Sequence, residues 1–286
     1  MSTNPAHDRT RRPAGTPTGG QFAPGVHAEP EIALGNQPPG PESTPETDRN
    51  GDTLWRTAEG LRHRTDGPAV EYADGDREWY LHGRRHREDG PAVERANGYR
   101  AWCRKGELHR TDGPAIEWAD GDRHWYRNGM LHRTDGPAIE RANGTREWFV
   151  DGQRHHTDGP AIELADGTRA WWVSGKLHRT DGPAIERAGG TREWHVNGRL
   201  HRTDGPAIEW ASDTRAWYVN GQLHRTDGPA REFASGDREW WVNGQRHRTD
   251  GPAVEPANGT RQWWVDGRRL TEEEFRSRFP ESAQDG

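Results

Sequence analysis

Residues His63 to Arg85 read HRTDGPAVEYADGDREWYLHGRR, and this stretch organises most of the chain. Its Asp-Gly-Pro-Ala tetrad begins at Asp66 and again at Asp89, Asp112, Asp135, Asp158, Asp181, Asp204, Asp227 and Asp250, always 23 residues further on. Nine complete units therefore run from His63 to Arg269 without an insertion. A fixed period of roughly 20 to 50 residues marks a repeat architecture, in which no unit can bury its apolar face alone and each relies on its neighbours.

Within the first unit, Pro68 to Ala73 and Asp76 to Leu81 read as two strands around Asp74-Gly75, which predicts a hairpin. Pro68, Ala69, Glu71, Ala73, Arg77 and Trp79 recur without change in all nine units. A two-residue turn at Asp74-Gly75 sets Glu71 opposite Glu78, like charge against like. A three-residue loop, Ala73-Asp74-Gly75 with glycine in the left-handed conformation, instead sets Glu71 opposite Arg77 and Trp79 over the small Ala69. The second register is the expected one, with a cross-strand Glu71–Arg77 ion pair and the recurring residues on one face. One unit has Ser212-Asp213 in place of the loop glycine, and aspartate tolerates the left-handed region better than most residues. Proline at the first strand position is where a sheet accepts it. At a strand spacing of about 4.8 Å, two strands per unit give an advance of about 9.6 Å and a ribbon of roughly 85 Å.

Composition agrees with a thin fold. Only 29% of the 286 residues are hydrophobic and mean hydropathy is −1.23, too polar for a globule with a thick interior. Fifteen tryptophans argue against disorder through the repeats. The 40 basic and 46 acidic residues are interspersed, with no basic block to follow a phosphate backbone, so nucleic acid is an unlikely partner. The single Cys103 excludes an internal disulfide framework, and no apolar run approaches the ~20 residues of a membrane span. With no apolar secretory run at the start, the expected location is the cytoplasm.

Three segments follow. Residues 1–50 hold nine of the 20 prolines and read as a disordered arm, in which Gly15 to Leu34 resembles a short segment at the N-termini of bacterial proteins with unrelated downstream domains. Residues 51–270 are the array, opened by Gly51 to Arg62, a degenerate half-unit with one extra residue. Residues 271–286 are the closing segment, where Thr271 with Glu274 three places on predicts a capped helix over about 272–279, stopped by Pro280, followed by a frayed tail.

Arg238 to His247, REWWVNGQRH, running on to Asp250-Gly-Pro-Ala253, resembles the MORN repeat, most closely the MORN-like variants of bacterial and phage proteins. The resemblance spans roughly residues 51 to 270. Where the family has His-Gly, this chain has His-Arg in most units and His155-His156 in one. The resemblance implies an all-β fold, an elongated single-layer antiparallel ribbon of stacked hairpins, serving as a scaffold for protein assembly. Some members associate with membranes or lipids, and some bacterial variants are antitoxin-like.

Catalytic and metal readings are weak. His63 and Asp66 stand three apart, as do their counterparts, but zinc usually needs three or four protein ligands and each unit offers no obvious third. The structural reading has the histidine packing on the neighbouring loop and the aspartate accepting backbone hydrogen bonds in a turn. Nine equivalent copies of Glu71 and Arg77 suit a unit's architecture better than a single asymmetric active site. No catalytic residue, cofactor or metal is expected. Glu71, Arg77, Trp79, His86, Asp89, Gly90 and Pro91 are read as structural repeat residues. The aromatics beside the Trp79 series (Tyr80, Tyr126, Phe149, Trp172, Tyr218, Trp241 and Trp264) face the opposite way and form the candidate binding surface. The expected function is a non-enzymatic protein-interaction scaffold; a carbohydrate or cell-surface binder and an antitoxin-like neutraliser are the alternatives.

Overall fold

The structure, a computed structural model, describes residues 43–280. The Gly15–Leu34 segment, most of the expected arm and the tail beyond Pro280 lie outside the described residues. The fold is nearly all-β, with a 19-stranded antiparallel sheet, nine small two-stranded sheets and one short helix. The sheet begins upstream of the expected boundary at residue 51. Strand β1 (Thr44–Thr47) pairs with β2 (Thr53–Arg56), which in turn pairs with β3 (Val70–Glu71).

The register reasoned from charge is the one observed. In the first unit β3 pairs with β4 (Arg77–Glu78), Glu71 opposite Arg77 and Val70 opposite Glu78. The Tyr72 N–H donates to Asp76 O at 2.9 Å and the Gly75 N–H to Tyr72 O at 2.9 Å, closing a three-residue loop with Gly75 at φ 93°. Asp213, which replaces this glycine in the seventh unit, adopts φ 62° and keeps the same bond, to Trp210 O at 3.0 Å. Strand β4 then pairs with Val93–Glu94 of the next unit, Arg77 opposite Glu94, and the pattern repeats down the sheet.

The second half of each unit departs from expectation. Asp76 to Leu81 is not one strand, because the chain changes partners at Trp79. The Trp79 N–H donates to Ala92 O of the next unit at 2.8 Å, whereas its carbonyl accepts from the His86 N–H at 3.0 Å. Beyond it, β5 (Tyr80–Leu81) pairs with β6 (Arg84–Arg85), giving four short strands in each of the first eight units rather than two. The connecting residues His82 and Gly83 have φ 46° and 77°, the double left-handed signature of the hairpin turn that matches strand twist. Asn, Asp or Ser fills the His82 position in seven of the other units, and Asn and Asp tolerate this conformation better than most residues. Successive small hairpins are joined to one another, as where the Gly106 N–H donates to Arg85 O at 2.8 Å.

The apolar interior lies where the main sheet meets the small hairpins. Val93, Ala101 and Ile116 form one buried cluster, with Leu108 and Tyr126 from the small hairpins packed against it. Ala138, Ile139 and Phe149 form another, with Trp125 and Leu131. The nine alanines equivalent to Ala69 are all 0% exposed, which explains why no larger residue replaces them. At the far end α1 (Glu272–Arg278) closes the array. Thr271 and Glu274 make the expected capping box, and Phe275 buries against Val265 and Leu270.

Candidate interaction surface

The connecting segment His-Arg-Thr-Asp-Gly-Pro carries a construction that repeats almost without change. In the second unit the Arg87 guanidinium lies 4.0 Å from the centroid of the Trp79 ring, which belongs to the unit before. Its Nε donates to Asp89 Oδ1 at 3.0 Å, and its Nη1 donates to Pro91 O at 3.3 Å and Glu94 Oε1 at 3.1 Å. A Cβ built on Gly90 comes within 2.9 Å of Arg87 Cζ, so the guanidinium is sandwiched between an indole face and a bare glycine. The glycine of Asp-Gly-Pro-Ala is thus required by close approach, not by its φ. The planar, five-donor guanidinium suits this slot as a lysine ammonium does not. The Arg87 backbone N–H reaches forward to Cys103 O of its own unit at 3.2 Å, so one residue ties its unit's small hairpin to the tryptophan of the unit before.

Arg64, Arg110, Arg133, Arg179, Arg202, Arg225 and Arg248 repeat the clamp, with ring distances of 3.9 to 4.1 Å. In the fifth unit His156 takes the arginine's place. It stacks on Trp148 at 4.8 Å with an interplanar angle of 5° and shares a 2.9 Å bond with Pro160 O through Nδ1. One expected contact is therefore corrected, and another gains a partner. In eight units the recurring glutamate finds its ion-pair partner in the loop arginine, as Glu94 does in Arg87, and not in its own hairpin's cross-strand arginine, which at Arg77 is exposed. The loop aspartate accepts from the same arginine. That bond, followed by the guanidinium charge, holds the Asp89 carboxyl below the usual carboxylate range, as it does for Asp66, Asp112 and Asp204.

The histidine before each arginine packs on the neighbouring loop, as the structural reading expects. His86 Nδ1 accepts from the Lys105 N–H at 3.1 Å, and His201 Nδ1 from the Asn220 N–H at 3.2 Å. The donor is always the first, left-handed residue of the small hairpin turn that closes the same unit. Among the described residues no three of His, Cys, Asp and Glu converge to hold a metal ion.

Between consecutive clamp loops lie shallow grooves. One of about 720 Å³ has Arg87 to Pro91 on one side, His109 to Asp112 on the other, and Trp102 and Arg104 between. The next, about 550 Å³, shares the Arg110–Gly113 wall and continues to Asp135. An equivalent of about 750 Å³ lies between the loops of Arg225 and Arg248. Thr111, Thr134, Thr226 and Thr249 stand exposed on these rims.

The row proposed from the sequence as a binding surface is not exposed. Tyr80 and Phe149 are 7% and 8% exposed, and Tyr126 packs into the interior cluster. Trp172, Tyr218, Trp241 and Trp264 are half-buried. Trp241 Nε1 donates to Glu239 Oε2 at 3.0 Å, and the Trp264 indole to Gln262. Strand alternation does turn these residues away from the Trp79 series, but the small hairpins lie on that side. The Asn-Gly and Asp-Gly pairs flanked by short apolar segments were the available signal for those hairpins. For the clamp, the signal was an arginine present in eight of nine units in step with a tryptophan.

The interior also holds charge. Glu78 is 1% exposed and accepts from the Tyr80 hydroxyl at 2.6 Å and from Arg85 Nη2 at 3.1 Å, with Arg95 closing on the same carboxylate. Burial pushes its pKa up, but the tyrosine and the two arginines together outweigh that and hold it low. Glu147, Glu193 and Glu239 recur at this position, with Ala170 and Ala216 between them, so in units four to eight a charged interior alternates with a small one.

No protein-family model matches the chain, and no curated protein matches it. No helix among the described residues is long and apolar enough to cross a membrane.

Proposed function

We propose that this protein is a non-enzymatic scaffold, a MORN-like array that presents equivalent loop grooves in series to a protein partner in the cytoplasm. The observation that carries this reading is the repetition itself. Grooves of one construction, walled by clamp loops and rimmed by exposed threonine and aspartate, recur at unit spacing. A surface of this kind favours several weak contacts made together, whose combined strength exceeds any single one. The clamp groups are already bonded to one another, which suits rigid presentation better than proton transfer. Cys103, free and buried, suits a reducing compartment. The aromatic row that motivated a carbohydrate reading is buried or half-buried, which leaves the loops as the better-supported docking surface.

The test is capture of partners by the full chain against a variant carrying Thr111→Arg, Thr134→Arg, Thr226→Arg and Thr249→Arg, which fills three grooves while leaving every clamp intact. The expected result is loss of a protein partner identified by mass spectrometry, with the circular dichroism melt unchanged. Capture unaffected by the four substitutions, or a glycan as the sole ligand, would overturn the proposal.

A further inference from the structure

We propose that the fifth unit is a flexure joint built into the array, set by the single histidine that stands where eight other loops have arginine. Four complete units precede it and four follow, so the exception falls at the midpoint. The difference in bonding is specific. On one side, Arg133 donates to Asp135 at 3.0 Å, to Pro137 O at 3.2 Å and to Glu140 at 2.9 Å. On the other, Arg179 makes the same three bonds, to Asp181 at 2.9 Å, Pro183 O at 3.2 Å and Glu186 at 3.2 Å. His156 keeps only the proline carbonyl. Among the described residues Asp158 makes no ion pair, and Glu163 is left with Arg146 at 4.0 Å, the limit of such a contact.

The slot is looser as well. A Cβ on Gly159 meets His156 Cε1 at 3.2 Å, whereas at Gly136 and Gly182 the arginine Cζ is 2.9 Å away. The imidazole centroid lies 4.8 Å from that of Trp148, whereas the guanidinium carbons of Arg133 and Arg179 lie 4.0 Å from the centroids of their indoles. In a repeat array each interface holds only its neighbours, so a loosened interface is not reinforced from elsewhere and local opening concentrates there. The backbone bonds here are ordinary, both within the unit, where the His156 N–H donates to Trp172 O at 3.0 Å as Arg133 does to Phe149 O at 3.0 Å and Arg179 to His195 O at 3.1 Å, and across its interface, where the Trp148 N–H donates to Ala161 O at 2.9 Å and the His155 N–H to Trp148 O at 3.1 Å. The weakness therefore resides in the side chain, and one substitution transfers it. The consequence is an array whose two halves open or bend relative to each other at one defined place. This holds whatever the array binds.

The experiment is residue-resolved amide exchange on the full chain, corrected for intrinsic rates. Protection at His156 is expected to be about tenfold lower than at Arg133 and Arg179, from loss of charge-assisted bonds partly shared with solvent. His156→Arg is expected to raise it to the neighbours' level, and Arg179→His to lower protection at residue 179 alone. Equal protection at the three positions in the wild-type chain overturns the proposal. So does a low value at 156 that His156→Arg leaves unchanged, since the cause then lies outside the side chain. A melting curve on each variant separates local opening from global loss of fold.

Discussion

Replacing Gly205 by alanine tests the sandwiched guanidinium directly. Gly205 does not have a left-handed φ, so in an open slot alanine should stabilise by about 0.4–1 kcal/mol, because the unfolded chain loses freedom. The structure predicts the opposite sign. The new methyl lands 2.8 Å from Arg202 Cζ, far inside contact distance, and the guanidinium has to leave. An arginine tip usually moves at little cost. Here, moving it forfeits the stack on Trp194 at 4.0 Å and the bond to Pro206 O at 3.2 Å. The stack contributes about 0.5–1 kcal/mol and a hydrogen bond from a charged donor about 1.5–3 kcal/mol. The fully exposed Asp204 is left out of the sum. Set against the alanine gain, the expected net loss is about 1–3.5 kcal/mol. Gly159→Ala is the internal control, because the smaller imidazole sits 3.2 Å from the new Cβ and can give way; its effect should stay within about 0.5 kcal/mol of zero. Urea unfolding followed by tryptophan fluorescence measures both. If Gly205→Ala and Gly159→Ala shift the midpoint alike, the sandwich does not hold the array and the reasoning is wrong.

Four further outcomes follow from the same geometry. Phe149→Ala should cost about 3 kcal/mol in denaturant unfolding, because the ring is interior; a variant that keeps its stability would return that row to the surface. Thr271→Ala should remove about 1 kcal/mol from the closing helix, seen as faster amide exchange at Phe275, whose N–H bonds Thr271 O. Asp213→Gly should stabilise by about 0.5 kcal/mol, since φ 62° suits glycine better, with the melting temperature as the readout. The clamp aspartates have carboxyls held below their ordinary value near 3.8, so their contribution is complete above that pH and is lost as pH falls through the depressed folded value. Urea midpoints should be insensitive to these groups above about pH 5 and should fall below pH 4, less steeply when Arg202 and Arg225 are changed to glutamine.

The sequence alone determined the period, the first hairpin's register and the closing helix. Each depends on residues close together in the chain. Glu71 cannot sit opposite Glu78 without a like-charge clash, and Thr271 caps a helix that starts at the next residue. A strict 23-residue spacing needs only counting. The tertiary structure decided which face is inside. Alternation along Asp76 to Leu81 places Tyr80 opposite Trp79, but says nothing of what covers either side. That was settled by the change of partners at Trp79, where the backbone leaves the main sheet and returns as a small hairpin over the Tyr80 row. The same step brings each loop arginine onto a tryptophan eight residues earlier in the chain (nine for Arg64), in the preceding unit or half-unit. Nearness of that kind arises only once the units have stacked, because no local preference of arginine, tryptophan or glycine encodes the slot they make together.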